Sequence, residues 1–466
     1  MKLFYGFFCL ILWISIFAGP GWANELAAQS LDQIVQRFDR LEKMVLDQKA
    51  VIEDQNQMIA NQEARLAELQ ADIEEIRGRK IDIKIDDDQM KQLAAQVYEH
   101  PLVERENYEW LGGLKFGAGA TFVGQHAYNI HGAKRGEDET DASYSIDLEV
   151  EKEFDDWGYA FLHLETGDGA GVDRNLADVF ASINRDADDS GNLITLTEVY
   201  YEHYLLDHQL TLTGGYLDST IIMDQNEIAH DEASQFLSLM FRNSVVTELP
   251  GNHLGFRGIY APEWAPWIEV TSGMIDGDLD GNDFFDTAFS FAQINLKPDF
   301  WGEDLPGNYR FYFWHNDTNH TNLMETDRVW DENHGWGVSA DQCITDTVTL
   351  FSRFGWQDET VSNAEIAWSF GIQLDGQLWN RTDDRIGIAF GQVFPGGDYH
   401  LATTKIGQET RLADTEHHLE LYYNYALNDH LIIGPDLQVI WNPAGNDPEF
   451  ASSNVVIAGL RGQVDF

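Results

Sequence analysis

Polar and aromatic side chains recur at every second position in several segments of the chain: Glu198, Tyr200, Glu202 and Tyr204; Arg310, Tyr312 and Trp314; Glu420 and Tyr422. Arg257 and Asp436 share their parity in other segments. Carboxylates and guanidinium groups supply acceptors and donors together, and the rings beside them offer flat apolar faces. The set suits a polyhydroxylated solute, whose hydroxyls need both kinds of partner and whose ring has an apolar side. The same carboxylates favour cations over anions, so two uses follow from one composition.

A second polar group, Asp224, Glu227, His230, Asp231, Glu232 and Arg242, falls between Asp218 and Asn252, a connection too long for a simple surface turn. Within it the spacing predicts a helix over Glu232 to Phe241 that gathers Phe236, Leu239 and Met240 on one side. An apolar loop face must be buried. If the flanking strands close around water, the inner wall is the surface available, and the loop then narrows the bore with these polar residues at the constriction. Any one of these charges could equally do no more than solvate a wide channel.

Other chemistry is thin. Asp276, Asp278 and Asp280, followed by Gly281, reproduce the start of an EF-hand loop, but Thr287 stands where the bidentate Glu belongs. Asp186, Asp188, Ser190 and Gly191 form a similar half-motif, with Glu198 one place too late. Ca²⁺ in an outer loop competes there with a plain acidic turn, and no other cofactor is expected. His417 and His418 lie on opposite faces of one strand, which argues against a shared metal. No phosphate loop, metalloprotease motif or nucleophile elbow is present, so the sequence points away from an enzyme. The formal net charge of −50 repels nucleic acid.

These residues must be positioned by strands. From Leu114 onward the hydrophobic period is 2, and sixteen strand candidates begin near Leu114, Tyr144, Gly158, Leu193, Gln209, His253, Trp267, Ala288, Gly307, Gly335, Val348, Ile366, Arg385, His417, Leu431 and Val455. Connections after even-numbered strands are short, as at Asp155-Asp156-Trp157, Asp207-His208 and Asn428-Asp429. Most of those after odd-numbered strands are long, as at 129–143, 167–192 and 395–416. An even strand number with sorted connections predicts a closed transmembrane antiparallel β-barrel over 114–466 and argues against a soluble sandwich. The chain ends on Phe466, whose strand face carries Val464, Leu460 and Val456. A terminal aromatic of this kind resembles the signal by which outer-membrane barrels meet their assembly machinery.

The residues ahead of the barrel differ. Lys2, the apolar stretch Phe4 to Phe17 and the small residues ending at Ala23 predict a cleaved secretory signal over 1–23. Cys9 leaves with it, so Cys343 alone remains and no internal disulfide forms. Heptads place Leu31, Phe38, Val45, Ile52, Ile59, Leu66 and Ile73 at position a, which predicts an α-helical coiled-coil stalk over 24–80 in the periplasm. Gln48, Gln55 and Gln62 at position d suggest a register-fixing polar layer, with a homo-oligomer, a trimer among the options. Residues 81–113 read as a linker with one short helix.

The segment Leu196-Thr197-Glu198-Val199-Tyr200-Tyr201-Glu202-His203, continuing through Leu210-Thr211-Leu212-Thr213-Gly214-Gly215 into Asp231-Glu232-Ala233-Ser234-Gln235-Phe236-Leu237, resembles the carbohydrate-selective porin family, the OprB type. Glu420-Leu421-Tyr422-Tyr423, Gly434-Pro435-Asp436-Leu437-Gln438 and Gly459-Leu460-Arg461 extend the resemblance. It implies passive diffusion of sugars through a sixteen-stranded barrel in outer-membrane lipid. The coiled coil departs from the simplest members and resembles stalked porins. Two further expectations therefore stand beside the first: a cation- or iron-permeable pore with an acidic lumen, and a structural tether acting through the stalk.

Overall fold

In Tyr144–Phe154, Ile146, Leu148 and Val150 alternate with Ser145, Asp147, Glu149 and Glu151, so an extended chain sorts them onto two faces. In the computed structural model this pattern, repeated along the chain, builds sixteen antiparallel strands. The structure describes residues 113–129, 138–176, 179–187, 190–277, 285–298, 305–325, 330–400, 414–446 and 454–466. The expected signal, stalk and linker, and the carboxylates Asp188, Asp278 and Asp280, lie outside the described residues.

The strands are β1 (Leu114–Tyr128), β2 (Glu139–Phe154), β3 (Gly158–Asp168), β4 (Thr195–Leu205), β5 (Leu210–Leu217), β6 (His253–Tyr260), β7 (Ile268–Asp276) and β8 (Ala288–Leu296). They continue as β9 (Gly307–His320), β10 (Asp331–Thr345), β11 (Val348–Gln357), β12 (Ala364–Asp375), β13 (Arg385–Pro395), β14 (Glu416–Asn428), β15 (Leu431–Trp441) and β16 (Val455–Asp465). Each pairs with its sequence neighbours, and β1 pairs with β16 to close the ring. The sequence reading places β2 and β10 too late: they begin at Glu139 and Asp331, because their polar outer ends continue the ladder past the last apolar alternation.

Closure is finished by the last residue. Phe466 N donates to Ala118 O at 2.8 Å and Ala118 N to Phe466 O at 3.2 Å, below the paired Gly119 and Asp465. The Phe466 ring stacks on His430 with centroids 5.9 Å apart.

Outside, Phe122, Leu148, Phe256, Phe313, Phe370 and Leu460 are exposed, a continuous apolar wall that only a lipid environment accommodates. Trp157, Trp264 and Trp267 stand exposed at the short-turn rim, where an interfacial aromatic girdle belongs. Inside, the buried apolar residues form three clusters between the wall and chain segments folded into the barrel.

Candidate permeation site

The β5–β6 connection, residues 218–252, turns into the barrel. Asp218 starts the turn, its carboxylate accepting the Thr220 amide at 2.8 Å. Met223, Asp224, Phe236, Leu237, Met240 and Phe241 are almost free of solvent. The helix expected over Glu232 to Phe241 is confined to α1, Leu239–Arg242, capped by the Ser238 hydroxyl accepting from Met240 N at 3.3 Å. The reason is competition for backbone donors. Leu237 N and Ser238 N donate to the Glu420 carboxylate at 2.7 and 3.0 Å, and a continuous helix would need those amides for itself.

A second segment joins the first, which the sequence reading treated only as a long outer loop. Between β3 and β4, Val172, Leu176, Ala181 and Ile183 are buried inside the barrel. The two segments bond directly: Arg185 N donates to Leu237 O at 2.8 Å and Leu239 N to Ser182 O at 2.9 Å. The available signal was Val172, Val179, Phe180 and Ile183 spaced through an otherwise polar stretch.

Buried charges pin this assembly to the wall. Arg353 Nε lies 3.1 Å from Asp224 Oδ1, its Nη2 donates to Asp224 O at 3.0 Å, and its Nη1 donates to Phe241 O. Ser244 N adds a bond of 2.6 Å to Asp224 Oδ2. Burial pushes the Asp224 carboxyl up, against the pull of the Arg353 guanidinium. Arg461 Nη1 donates to the carbonyls of Glu232 and Gln235, both at 2.8 Å. Arg310 pairs with Asp341 at 2.6 Å and reaches Glu227 at 3.0 Å. The wall beneath is cut away to receive the loop: a Cβ on Gly391 would stand 2.6 Å from Met240, and one on Gly355 would stand 2.7 Å from Val246.

The structure therefore divides the sequence-expected constriction residues. Asp224, Arg242, Arg310, Glu420, Asp436 and Glu198 are buried, and Asp224, Arg310 and Glu420 hold the inward loop. Arg242 pairs with Glu232 within that loop. Glu227 and Asp231 are open, while Glu202 and Arg257 form a partly open pair at 3.0 Å. Asp276 is buried, with its oxygens beside His253 at 3.1 Å and the Phe285 amide at 3.2 Å.

Inward residues of β11 to β14 are buried at nearly every alternate position, whereas those of β2 and β3 are partly exposed. The loops thus fill one side of the cylinder, and the open bore runs eccentrically along β2, β3, β4 and β6. Its wall carries Asp147, Glu149, Glu151, Glu165 and Glu202 against Lys115 and Arg257. His163 Nε2 lies 2.8 Å from Asp147, and Lys115 Nζ lies 2.6 Å from Glu153. A cavity of about 460 Å³ opens toward the long-loop end beside Phe180, Glu248, His320 and Tyr399. One of about 360 Å³ opens toward the short-turn end beside Asp147, Glu149, Asp231 and Asp465.

Comparison with known proteins agrees with this architecture. The model of the family "Carbohydrate-selective porin, OprB family" matches residues 131–466. Porin B of Pseudomonas aeruginosa is 24% identical over 211 residues, 38% of this chain, and the match spans 44% of that relative's length. An uncharacterized protein of Aquifex aeolicus is 25% identical over 299 residues, covering 64% of this chain and 76% of its own. The high pH structure of Pseudomonas putida OprB superposes with a TM-score of 0.65 at 21% identity, covering 77% of this chain and 96% of that one. A lipid-facing cylinder that is closed by its own last residue, narrowed from within and matched by the family model over most of its length places this chain in the carbohydrate-selective porin, OprB family.

Proposed function

We propose that the protein is a passive outer-membrane pore for small polyhydroxylated solutes, performing no chemistry and coupling to no energy source. The observation that carries this is the eccentric bore. A wall on which carboxylates, Arg257 and tyrosines alternate stays wet, while two inward segments occupy the rest of the lumen. Such a wall exchanges a solute's hydration for weak, repeated hydrogen bonds and ring contacts, and it holds none of them tightly enough to stop transit. In a planar bilayer, added D-glucose should reduce the current of the purified pore reversibly and saturably. A steady conductance unaffected by any sugar would reject the reading.

The carboxylate surplus of the bore supports a second reading, a cation-permeable pore. Strong cation selectivity without sugar block would favour it. The heptads upstream support a stalk that spaces the barrel from a periplasmic partner and brings copies of the chain together. Deleting Leu31 to Ile76 should then weaken the envelope or the oligomer and leave single-channel conductance unchanged.

A further inference from the structure

The inner face of β3 and β4 carries three neighbouring rings, of which the sequence motifs single out Tyr200 alone. Tyr159 and Phe161 lie two residues apart on β3 with centroids 6.4 Å apart and planes at 16°. Tyr200, across the ladder from Phe161 on β4, stands 5.4 Å from Phe161 and 6.3 Å from Tyr159. All three are partly exposed. On the adjacent strand the register sets Glu151 opposite Phe161 and Glu153 opposite Tyr159, and on the other side Glu202 stands opposite Tyr159. A strip of ring faces therefore runs along the open side of the bore with carboxylates on both edges.

We infer that this strip is the translocation track, and that it selects cyclic sugars over open-chain polyols; the inference rests on the sugar-pore reading above. A pyranose has an axial C–H face that sheds water onto an aromatic ring, and equatorial hydroxyls that point sideways. A narrow strip of rings edged by acceptors meets both at once. Neighbouring rings 5.4 to 6.4 Å apart let the next contact form before the last one breaks, so the solute moves without passing through a fully desolvated state. An acyclic polyol with as many hydroxyls finds the carboxylates but has no rigid apolar face for the rings. The loops pack along β11 to β14 and reach Tyr200, which rests against the cluster holding Ile222 and Met223, so the strip borders the loop packing and its β3 rings form the open wall that a solute touches.

The test compares D-glucose with D-sorbitol as blockers of the full-length pore in a planar bilayer, using wild type, Phe161→Ala, and Tyr159→Leu with Tyr200→Leu. The substitutions lie on the inner wall and leave the lipid-facing side chains of the barrel in place; heat-resistant migration of each variant on a cold denaturing gel confirms a closed barrel, and block is read as a fraction of each variant's own sugar-free current. Wild type should be half-blocked at a several-fold lower concentration of D-glucose than of D-sorbitol. Phe161→Ala should raise the D-glucose value about three- to tenfold, the range that one lost stacking contact represents, the double variant should raise it at least as much, and both should leave the D-sorbitol value unchanged. Equal block by both solutes in wild type, or an equal loss for both in the variants, overturns the track while the pore reading stands. Absence of block by either solute in wild type rejects the sugar reading itself.

Discussion

Arg353→Met should loosen the constriction without opening the barrel. The guanidinium is fully buried, lies 3.1 Å from Asp224 Oδ1, and donates to two loop carbonyls. Met keeps most of the volume and removes every donor. The Asp224 carboxylate is then left in a solvent-free pocket with the Ser244 amide at 2.6 Å. Breaking a buried pair on one side costs about 3–5 kcal/mol. A docking free energy of about 3 kcal/mol keeps an undocked state below about 1%, and its loss raises that state to the order of half. The Glu420 and Arg461 anchors remain, so the excursion is confined to the part of the loop around Asp224. Single-channel recording should show larger open-channel noise and a higher mean conductance. The cost arises from an uncompensated charge, so Asp224→Asn added to Arg353→Met should return the recording toward wild type. A quiet Arg353→Met channel, or a double variant noisier than the single, would refute the reasoning.

Four other outcomes are expected. Asp186, in the second inward segment, has its carboxyl pushed up to about 8 by burial first and by nearby Glu232 second. An acid raised above its usual value favours the docked state when protonated, so docking weakens as pH rises from about 4 and levels off above about 8; channel noise should grow over that window in wild type and stay flat in Asp186→Asn. At the β12–β13 turn, the Arg381 bond and then Tyr423 and the Ala426 amide hold Asp384 down to about 2, so its contribution is present at neutral pH and lost as pH falls through about 2. Arg381→Ala should therefore lower the melting temperature by a few degrees at pH 7, with the difference shrinking near pH 2. Gly355→Val should raise conductance while the melt changes little, because its side chain would collide with Ser244 and Val246 rather than with the barrel wall. Glu149→Gln with Glu151→Gln should shift the reversal potential in a KCl gradient toward zero; an unchanged potential would show that ions do not pass along β2.

The barrel was legible because its determinants are local. A period of 2, turn residues such as Asp155-Asp156-Trp157, and the terminal Phe466 each state their structure without reference to distant residues. The constriction was legible only in part. Parity says that Arg353 and Glu420 face inward, but it cannot say that a loop more than a hundred residues away spends its amides and carbonyls on them. The helix over Glu232 to Phe241 is what the apolar spacing favours, and a single buried carboxylate outbids most of it. The rings of Tyr159 and Phe161 were passed over for a different reason. Both are commonplace strand residues, and they acquire meaning only when Tyr200 on the next strand and the partly exposed inner wall of β2 and β3 are known.

That uneven filling of the lumen also explains why the anchors are polar. An apolar loop in a wet cylinder could settle against any wall, since burial of Phe236, Met240 or Phe241 is rewarded wherever a dry surface forms. A buried polar or charged group adds little net stability when partnered but is costly when its partner is missing, so such groups discriminate between placements that hydrophobic contact treats alike. Arg353 on β11, Glu420 on β14 and Arg461 on β16 each accept only one arrangement of loop carbonyls and amides. Together they fix the inward segments against β11 to β16, and by doing so leave the inner faces of β2 and β3 open. On the proposed reading, the position of the permeation path is decided by residues that no solute touches. Substitutions at Arg353 or Arg461 should for that reason change sugar selectivity as well as conductance, by letting the loop drift over the Tyr159, Phe161 and Tyr200 strip; selectivity for D-glucose over D-sorbitol that survives a clear gain in conductance would separate the two and break this link.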